Sequence, residues 1–295
     1  MKDFSYAAPA SLAEATKLLA TANGKARILA GGTDILVQLR EGLRDADLVI
    51  DVKKIPELME LSYSPAIGLR LGASVPCYQI YEHREIGLAY PALADAARIV
   101  GGWQIQSRAS IGGNLCNASP AADTIPALIA HGATAVIAGP RGERRVKAEE
   151  FCTAPGKNVL EAGEMLVTIE LPAPAKSASS AYERFIPRNE MDIAVVGAGA
   201  WVQLSADRQS VASARIALGA VAATPKFAEE ASKWLAGEPP TEEVFARAGE
   251  LATQVASPIT DMRGTAEYRM HLIGILVKRT LSRATDRAKL LKTEN

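Results

Sequence analysis

Residues 30–42 read "AGGTDILVQLREG", and residues 107–123 read "SRASIGGNLCNASPAAD". The first stretch follows Arg27-Ile28-Leu29-Ala30, which reads as the end of a short strand over 26–30. Thr33 or Asp34 can cap the helix that follows, which stops at Gly42. Glycine accepts positive φ and lets backbone N–H groups approach a ligand closely. Consecutive amides in such a turn make a concave anion site suited to a pyrophosphate. A helix N-terminus behind the turn adds partial positive charge. The second stretch gathers Ser110, Gly112, Gly113, Asn114, Asn117, Ser119 and Asp123. Small and short polar side chains let a backbone wrap a polar ligand, and Pro120 interrupts any helix, so an ordered loop is expected. Taken singly, each stretch is equally a tight turn whose Asn and Ser side chains satisfy their own backbone.

Outward from these glycines, Ser11-Leu-Ala-Glu14 is a capping box ahead of Leu12, Ala15, Leu18 and Leu19 at helical spacing. Strands are expected at 47–52 and 66–74, helices around 76–82 and 90–99, and an apolar helix from Asp123 to about His131. "ATAVIAG", "ERRVKA" and "EMLVTIELP" read as strands. The stretch "APAKSASS" (173–180) is small, polar and Pro/Ser-containing, and marks a domain boundary. Beyond it lie strands at 193–205 and 211–221, then helices at about 225–236, 241–256 and 265–284. Strands followed by helices indicate an α+β domain with an antiparallel sheet. The final "TDRAKLLKTEN" reads as a charged tail.

The 295 residues suffice for two domains. Lys+Arg and Asp+Glu are balanced at 33 each, so no broad field draws nucleic acid or a membrane surface. No apolar run reaches the length of a membrane span, and the start lacks a signal-peptide core. Cys77, Cys116 and Cys152 have no paired spacing, which points to reduced thiols and a cytoplasmic setting. It also argues against an iron–sulfur cluster or cysteine zinc site within the chain. His83, His131 and His271 are too far apart to suggest a metal site. A dinucleotide fingerprint fails: Gly197-Ala-Gly199-Ala-Trp-Val lacks the third glycine and runs on as a strand.

"LAGGTD" near residue 30 and "ASIGGNLCNASPAAD" some eighty residues later resemble the FAD-binding medium subunit of molybdenum hydroxylases, the xanthine dehydrogenase and carbon monoxide dehydrogenase family. "EEFCTAPGKNVLEAGEMLVTIELP" (149–172), "ERFIPRNEMDIAVVGAGAW" (183–201) and "DMRGTAEYRMHLIG" (261–274) resemble later parts of the same family, in the same order.

The resemblance implies an α+β fold: a p-cresol methylhydroxylase-type FAD-binding domain over 1–175, made of two α/β subdomains (about 1–56 and 57–175). A smaller domain with an antiparallel sheet and helices follows over 181–287, and then a tail over 288–295. It implies FAD as cofactor, held by Leu29, Ala30, Gly31, Gly32, Thr33, Asp34 and Ile35 on one side. Gly101, Ser110, Ile111, Gly112, Gly113, Asn114, Cys116, Asn117 and Asp123 are implied for the other. Leu166, Arg188 and Asp192 are expected nearest the flavin ring, with Tyr182, Trp103 and Trp201 as further stacking candidates. It implies no catalytic dyad and no metal ligand in this chain, since a flavin carries the redox chemistry itself. The implied partners are a small [2Fe–2S] subunit and a large molybdenum-cofactor subunit, in a dimer of heterotrimers. Two other readings stay open: a free-standing FAD oxidoreductase acting on a small substrate, and a flavin-less scaffold of the same fold.

Overall fold

A computed structural model describes residues 2–22, 24–188 and 190–291. The strand Ala26–Leu29 forms, and pairs in parallel with Leu48–Asp51, which pairs in parallel with Ser5–Ala7. Parallel neighbours need a crossover, and the helices Leu12–Thr21 and Ile35–Arg40 supply it. Ser11 caps the first helix by accepting from the Glu14 N–H (3.3 Å), while the Glu14 carboxylate accepts from Ala10 N–H (3.3 Å). Asp34 occupies the N-cap of the second helix but makes no cap bond. Its carboxylate is turned toward the other glycine segment, as described below.

A five-stranded sheet follows, in the order Leu61–Ser64, Gly68–Gly72, Met165–Pro172, Thr134–Gly139 and Gly142–Lys147, all antiparallel. Helices cover it, among them Cys77–Glu82, Pro91–Ala97 and Thr124–Ala130. Every residue of Thr124–Ala130 is buried; each large apolar side chain placed there contributes about 1.5–3 kcal/mol.

The second glycine segment is not a loop. Residues Ile111–Asn117 form a helix, with Ser110 as N-cap accepting from the Gly113 N–H (3.0 Å). Pro120 lies beyond its end, and Ala118 closes it in the left-handed region (φ 49°). The proline therefore ends the helix rather than preventing it. Asn114, inside this helix, caps the next one: its Oδ1 accepts from the Thr124 hydroxyl (2.6 Å) and N–H (3.4 Å).

The C-terminal part is a four-stranded antiparallel sheet, Ala178–Phe185, Val196–Leu204, Val211–Gly219 and Lys226–Phe227, backed by the helices Glu229–Trp234, Glu242–Ala252 and Ala266–Leu290. Gly197-Ala-Gly199 lies within the second of these strands. A Cβ at Gly199 would sit 2.9 Å from the Pro126 carbonyl oxygen, so this glycine lets the sheet close directly on the helix Thr124–Ala130. Among the described residues, no helix is long and apolar enough to cross a membrane.

The expected charged tail over 288–295 is corrected in part. The last helix runs 25 residues, to Leu290, and residues 292–295 lie outside the described residues. Its final turns are not a solvated run, because Ala284, Thr285 and Ala288 are buried. Arg287 reaches back to the first part of the chain, donating to both oxygens of Asp95 (2.7 and 2.9 Å) and to the Ser180 carbonyl (2.8 Å). A bidentate charged pair of this kind is geometrically specific. Arg287→Met is expected to lower unfolding free energy by about 1.5–3 kcal/mol, the range for hydrogen bonds to charged groups. Urea denaturation measures this, and an unchanged midpoint would show that Arg287 ties nothing down.

Candidate functional site

The two glycine segments meet through their backbones. A Cβ at Gly31 would overlap the Arg108 carbonyl oxygen, so only glycine allows the first turn to rest on the approach to the second segment. Gly32 has φ +82°, the left-handed conformation that side chains disfavour. Gly112 and Gly113 have no such φ, and their role is space. A Cβ at Gly112 would overlap the Ala73 carbonyl oxygen, whereas at Gly113 it would meet only Ser110 Oγ, at 3.0 Å. The first seats the helix Ile111–Asn117 on the sheet, and the second leaves its outer face clear.

Between the segments lies a cleft of about 920 Å³, near the top of the range in which ligand pockets fall, about 300–1,000 Å³. Ala30, Gly31, Gly32, Thr33, Asp34 and Ile35 line one wall; Gly101, Ser110, Gly112, Gly113, Asn114, Cys116, Asn117 and Asp123 line another. Leu166 and Asp192 also face it. Among the described residues, the N–H groups of Gly32, Thr33 and Asp34 have no protein acceptor. The walls are also joined by side chains: Gln38 Nε2 donates to Asn117 Oδ1 (2.9 Å), and Asn117 Nδ2 donates to Asp34 Oδ1 (3.2 Å).

At one end of the cleft Asp123 is buried with two partners from the strand Ala178–Phe185. Tyr182 donates its hydroxyl to Oδ1 (2.9 Å) and Arg184 donates Nη1 to Oδ2 (2.5 Å). Burial raises the Asp123 carboxyl from 3.8 to about 6, against the opposing charge of Arg184 and the hydrogen bonds from both partners. Burial, with the adjoining Asp123, also pushes the Tyr182 hydroxyl well above its ordinary value. Arg184 itself lines the cleft, and its Nε is buried without a hydrogen-bond partner. The same holds for Arg27 Nε and Ser74 Oγ. Buried polar atoms are ordinarily paired, so three unpartnered ones around a single cleft mark it as built for a polar ligand.

The side chains of three residues named from the sequence stand elsewhere. Leu29 packs with Leu39, Ala46 and Val49 behind the turn, because its strand position faces that small core. Ile111 is fully buried in the main core under the helix. Arg188 is exposed, donating to the Met191 carbonyl (2.8 Å) and lying 3.6 Å from Asp192, so only its partner borders the cleft. The stacking candidates are also absent from the lining. Trp103 is 83% exposed, Tyr182 is spent on Asp123, and Trp201 lines a separate small cavity. Sequence reasoning missed Arg184, Gln38, Arg27 and Ser74. Arg184 left no signal, because its strand carries the ordinary charged pair Glu183-Arg184.

Residues 2–174 match the family model described as the FAD binding domain in molybdopterin dehydrogenase, and residues 180–284 match the CO dehydrogenase flavoprotein C-terminal domain. The chain is 34% identical over 290 residues to a putative xanthine dehydrogenase FAD-binding subunit of Escherichia coli (strain K12), covering 98% of each. It is 32% identical over 284 residues to the carbon monoxide dehydrogenase medium chain of Hydrogenophaga pseudoflava, covering 96% of this chain and 98% of that protein. A solved structure of carbon monoxide dehydrogenase from Hydrogenophaga pseudoflava, lacking the Mo-pyranopterin moiety of its cofactor, superimposes with TM-score 0.92 at 32% identity. It covers 97% of this chain and 98% of that one.

Two outcomes are expected. Gly113→Val keeps the fold, since the one atom a Cβ would crowd is the Ser110 Oγ at 3.0 Å, but it fills the cleft. It weakens FAD binding by about one to two orders of magnitude, from the 1–3 kcal/mol typical of an overpacked site. Fluorescence titration reads this, and near-normal affinity would remove the second segment from the ligand wall. Asp123 titrates higher in the folded chain than unfolded, so its contribution is fully present below about pH 4 and lost as pH rises through about 6. The unfolding free energy of Asp123→Asn relative to the wild-type apo chain should therefore rise by on the order of 3 kcal/mol across that window. A pH-independent difference would mean that Asp123 ionises as an ordinary surface carboxyl.

Proposed function

Because the chain belongs to the family of FAD-binding medium subunits of xanthine and carbon monoxide dehydrogenases, we propose that it is the FAD-containing electron-transfer subunit of a molybdenum hydroxylase. The chain is thus part of an oxidoreductase, and FAD is its cofactor. The observation that carries the FAD part of this reading is the cleft itself, two glycine segments in backbone contact around unpartnered N–H, guanidinium and hydroxyl donors, and near full-length similarity to FAD-binding subunits and medium chains supports the subunit part. When bound, FAD supplies chemistry that takes electrons one at a time from iron–sulfur clusters and gives them to NAD, a quinone or another acceptor.

The protein's own residues bind and orient. The amides of Gly32, Thr33 and Asp34 are placed to hold an anionic pyrophosphate, as consecutive free N–H groups do. The face of the helix Ile111–Asn117 kept clear at Gly113 gives it room. Leu166 offers an apolar surface for a ring, and Arg184 and Asp192 offer polar groups for its edge. Asp123 has both oxygens engaged by Tyr182 and Arg184, so its part is to hold Arg184 in place.

The reading includes the division into an FAD-binding domain over 1–175, split near residue 56, and a C-terminal domain over 181–287. It includes a small [2Fe–2S] partner, a large molybdenum-cofactor partner, assembly as a dimer of heterotrimers and a cytoplasmic location. Near full-length similarity to proteins named as medium chains supports a multi-subunit enzyme. A solved structure of a cyanide-inactivated Cu,Mo-CO dehydrogenase adds to that support, with TM-score 0.91 over 96% of this chain.

FAD is expected to be held without a covalent link. Burial pushes the Cys116 thiol, beside the cleft, up to about 12, so it stays protonated and unreactive. Acid precipitation should release the yellow colour into the supernatant, and colour kept in the pellet would contradict this. The isolated, flavin-loaded chain should not bleach anaerobically with aldehydes, purines or other heterocycles until iron–sulfur and molybdenum subunits are added. Rapid bleaching of the chain alone would make it a free-standing oxidoreductase, and a colourless native complex would make it a scaffold.

A further inference from the structure

Behind the first glycine turn, on the side away from the cleft, stands a polar cluster that the cofactor reading leaves without a role. Lys53 follows the strand Leu48–Asp51 and points its ammonium at two acceptors. One is Asp51 Oδ1 (2.7 Å), and the other is the backbone carbonyl of Ala30 (2.9 Å). Asp51 is itself fixed, because its Oδ1 accepts from the Lys53 N–H (3.1 Å) and its Oδ2 from the Tyr6 hydroxyl (2.8 Å). Burial alone would push the Asp51 carboxyl up, yet the bonds from Lys53 and Tyr6 outweigh it and hold the group below the usual carboxylate range. Lys53 and Asp51 are half-buried, with side-chain exposures of 31% and 16%, while Tyr6 reaches Asp51 from an exposed position. It joins all three strands of the parallel sheet: Tyr6 from one edge, Asp51 from the centre, and Ala30 just past the end of the other edge.

Geometry gives this cluster a consequence across the turn. In a trans peptide the C=O and the following N–H point to opposite sides. With the Ala30 carbonyl held on Lys53, the Gly31 N–H is directed away from Lys53, and Gly31 lines the cleft whereas Lys53 does not. Gly31 and Gly32 have little intrinsic preference for one peptide orientation, so something outside the turn must choose it. We infer that Lys53, braced by Asp51 and Tyr6, is a positioning residue that fixes the Ala30–Gly31 peptide so that the amides of the turn face the cofactor cleft. This rests on the FAD reading above. The bond is charge-assisted and therefore among the stronger single hydrogen bonds available. The neighbouring Lys54 is exposed and makes no such contact, which provides an internal control.

The test uses the full chain with three substitutions, Lys53→Met, Lys53→Arg and Lys54→Met. FAD affinity is read by fluorescence titration, and amide protection by hydrogen exchange at saturating FAD. Lys53→Met is expected to weaken FAD by about tenfold, the scale of one hydrogen bond to a charged group. It should also lower protection selectively over residues 31–34, leaving the helix Ile111–Asn117 protected. Lys53→Arg should recover most of the affinity, because a guanidinium can still donate to both oxygens. Lys54→Met should match the wild type. Wild-type binding with an unchanged affinity in Lys53→Met overturns the inference and leaves the FAD reading standing. So does an equal loss in Lys54→Met, or weakened binding with protection at 31–34 intact. A wild-type chain that takes up no FAD at all overturns the FAD reading, and this inference with it.

Discussion

The cleft exists because two backbones touch where a side chain would have kept them apart. Gly31 rests on the Arg108 carbonyl and Gly112 on Ala73, so the parallel sheet, the turn, the helix Ile111–Asn117 and the antiparallel sheet are stacked at backbone distance. Everything else at the site is arranged around that closeness. Gln38 and Asn117 can bridge the walls with single side chains because the walls are near. Asn114 can cap a helix ten residues further on because the chain folds back at once. A methyl group at Gly31 would separate these elements and with them every group that faces the cleft.

A second constraint comes from the far domain. Asp123 starts a helix packed on the five-stranded sheet, yet both of its oxygens are taken by the C-terminal sheet. The arginine that pairs with it is buried and keeps one donor unspent. Breaking a buried pair of this kind is costly, because either partner alone is left as an uncompensated charge. The end wall of the cleft is therefore shared property of both domains, and its rigidity depends on their alignment. Gly199 against Pro126 and His131 against Ser180 (2.9 Å) reinforce that alignment by contacts of the same short reach.

Much of this was legible in the sequence. The strands Val196–Leu204 and Val211–Gly219 lie where strand-like runs were read, Ser11 announced its helix, and the two glycine pairs lie together, but the strand Ala178–Phe185 begins inside the stretch read as a boundary. The failures have separate physical causes. Pro120 was read as a helix breaker within its segment, but local rules do not say on which side of a proline the helix lies, and the Ser110 cap decided that. "TDRAKLL" looked solvated because its charges are visible in sequence, while the distant acceptor Asp95 is not. Leu29 and Ile111 were grouped with their glycine neighbours, although alternation along a strand and periodicity along a helix turn adjacent side chains to opposite sides. Arg184 and Ser74 come to the cleft only through long-range packing, and no local pattern carries that information, whereas Gln38 stands one helical turn after Asp34 in the first segment itself.

The return of Arg287 to Asp95 places the finishing contact of the N-terminal half near the opposite end of the chain. Synthesis proceeds from the N-terminus, and domains generally fold in that order. The first glycine turn and the helix Ile111–Asn117 can therefore fold while the ribosome is still translating the remainder. The wall bearing Arg184 becomes complete only when its sheet has gathered Val196–Leu204 and Val211–Gly219 and the last helix has docked. The final geometry of the cleft accordingly depends on residues as late as Arg287.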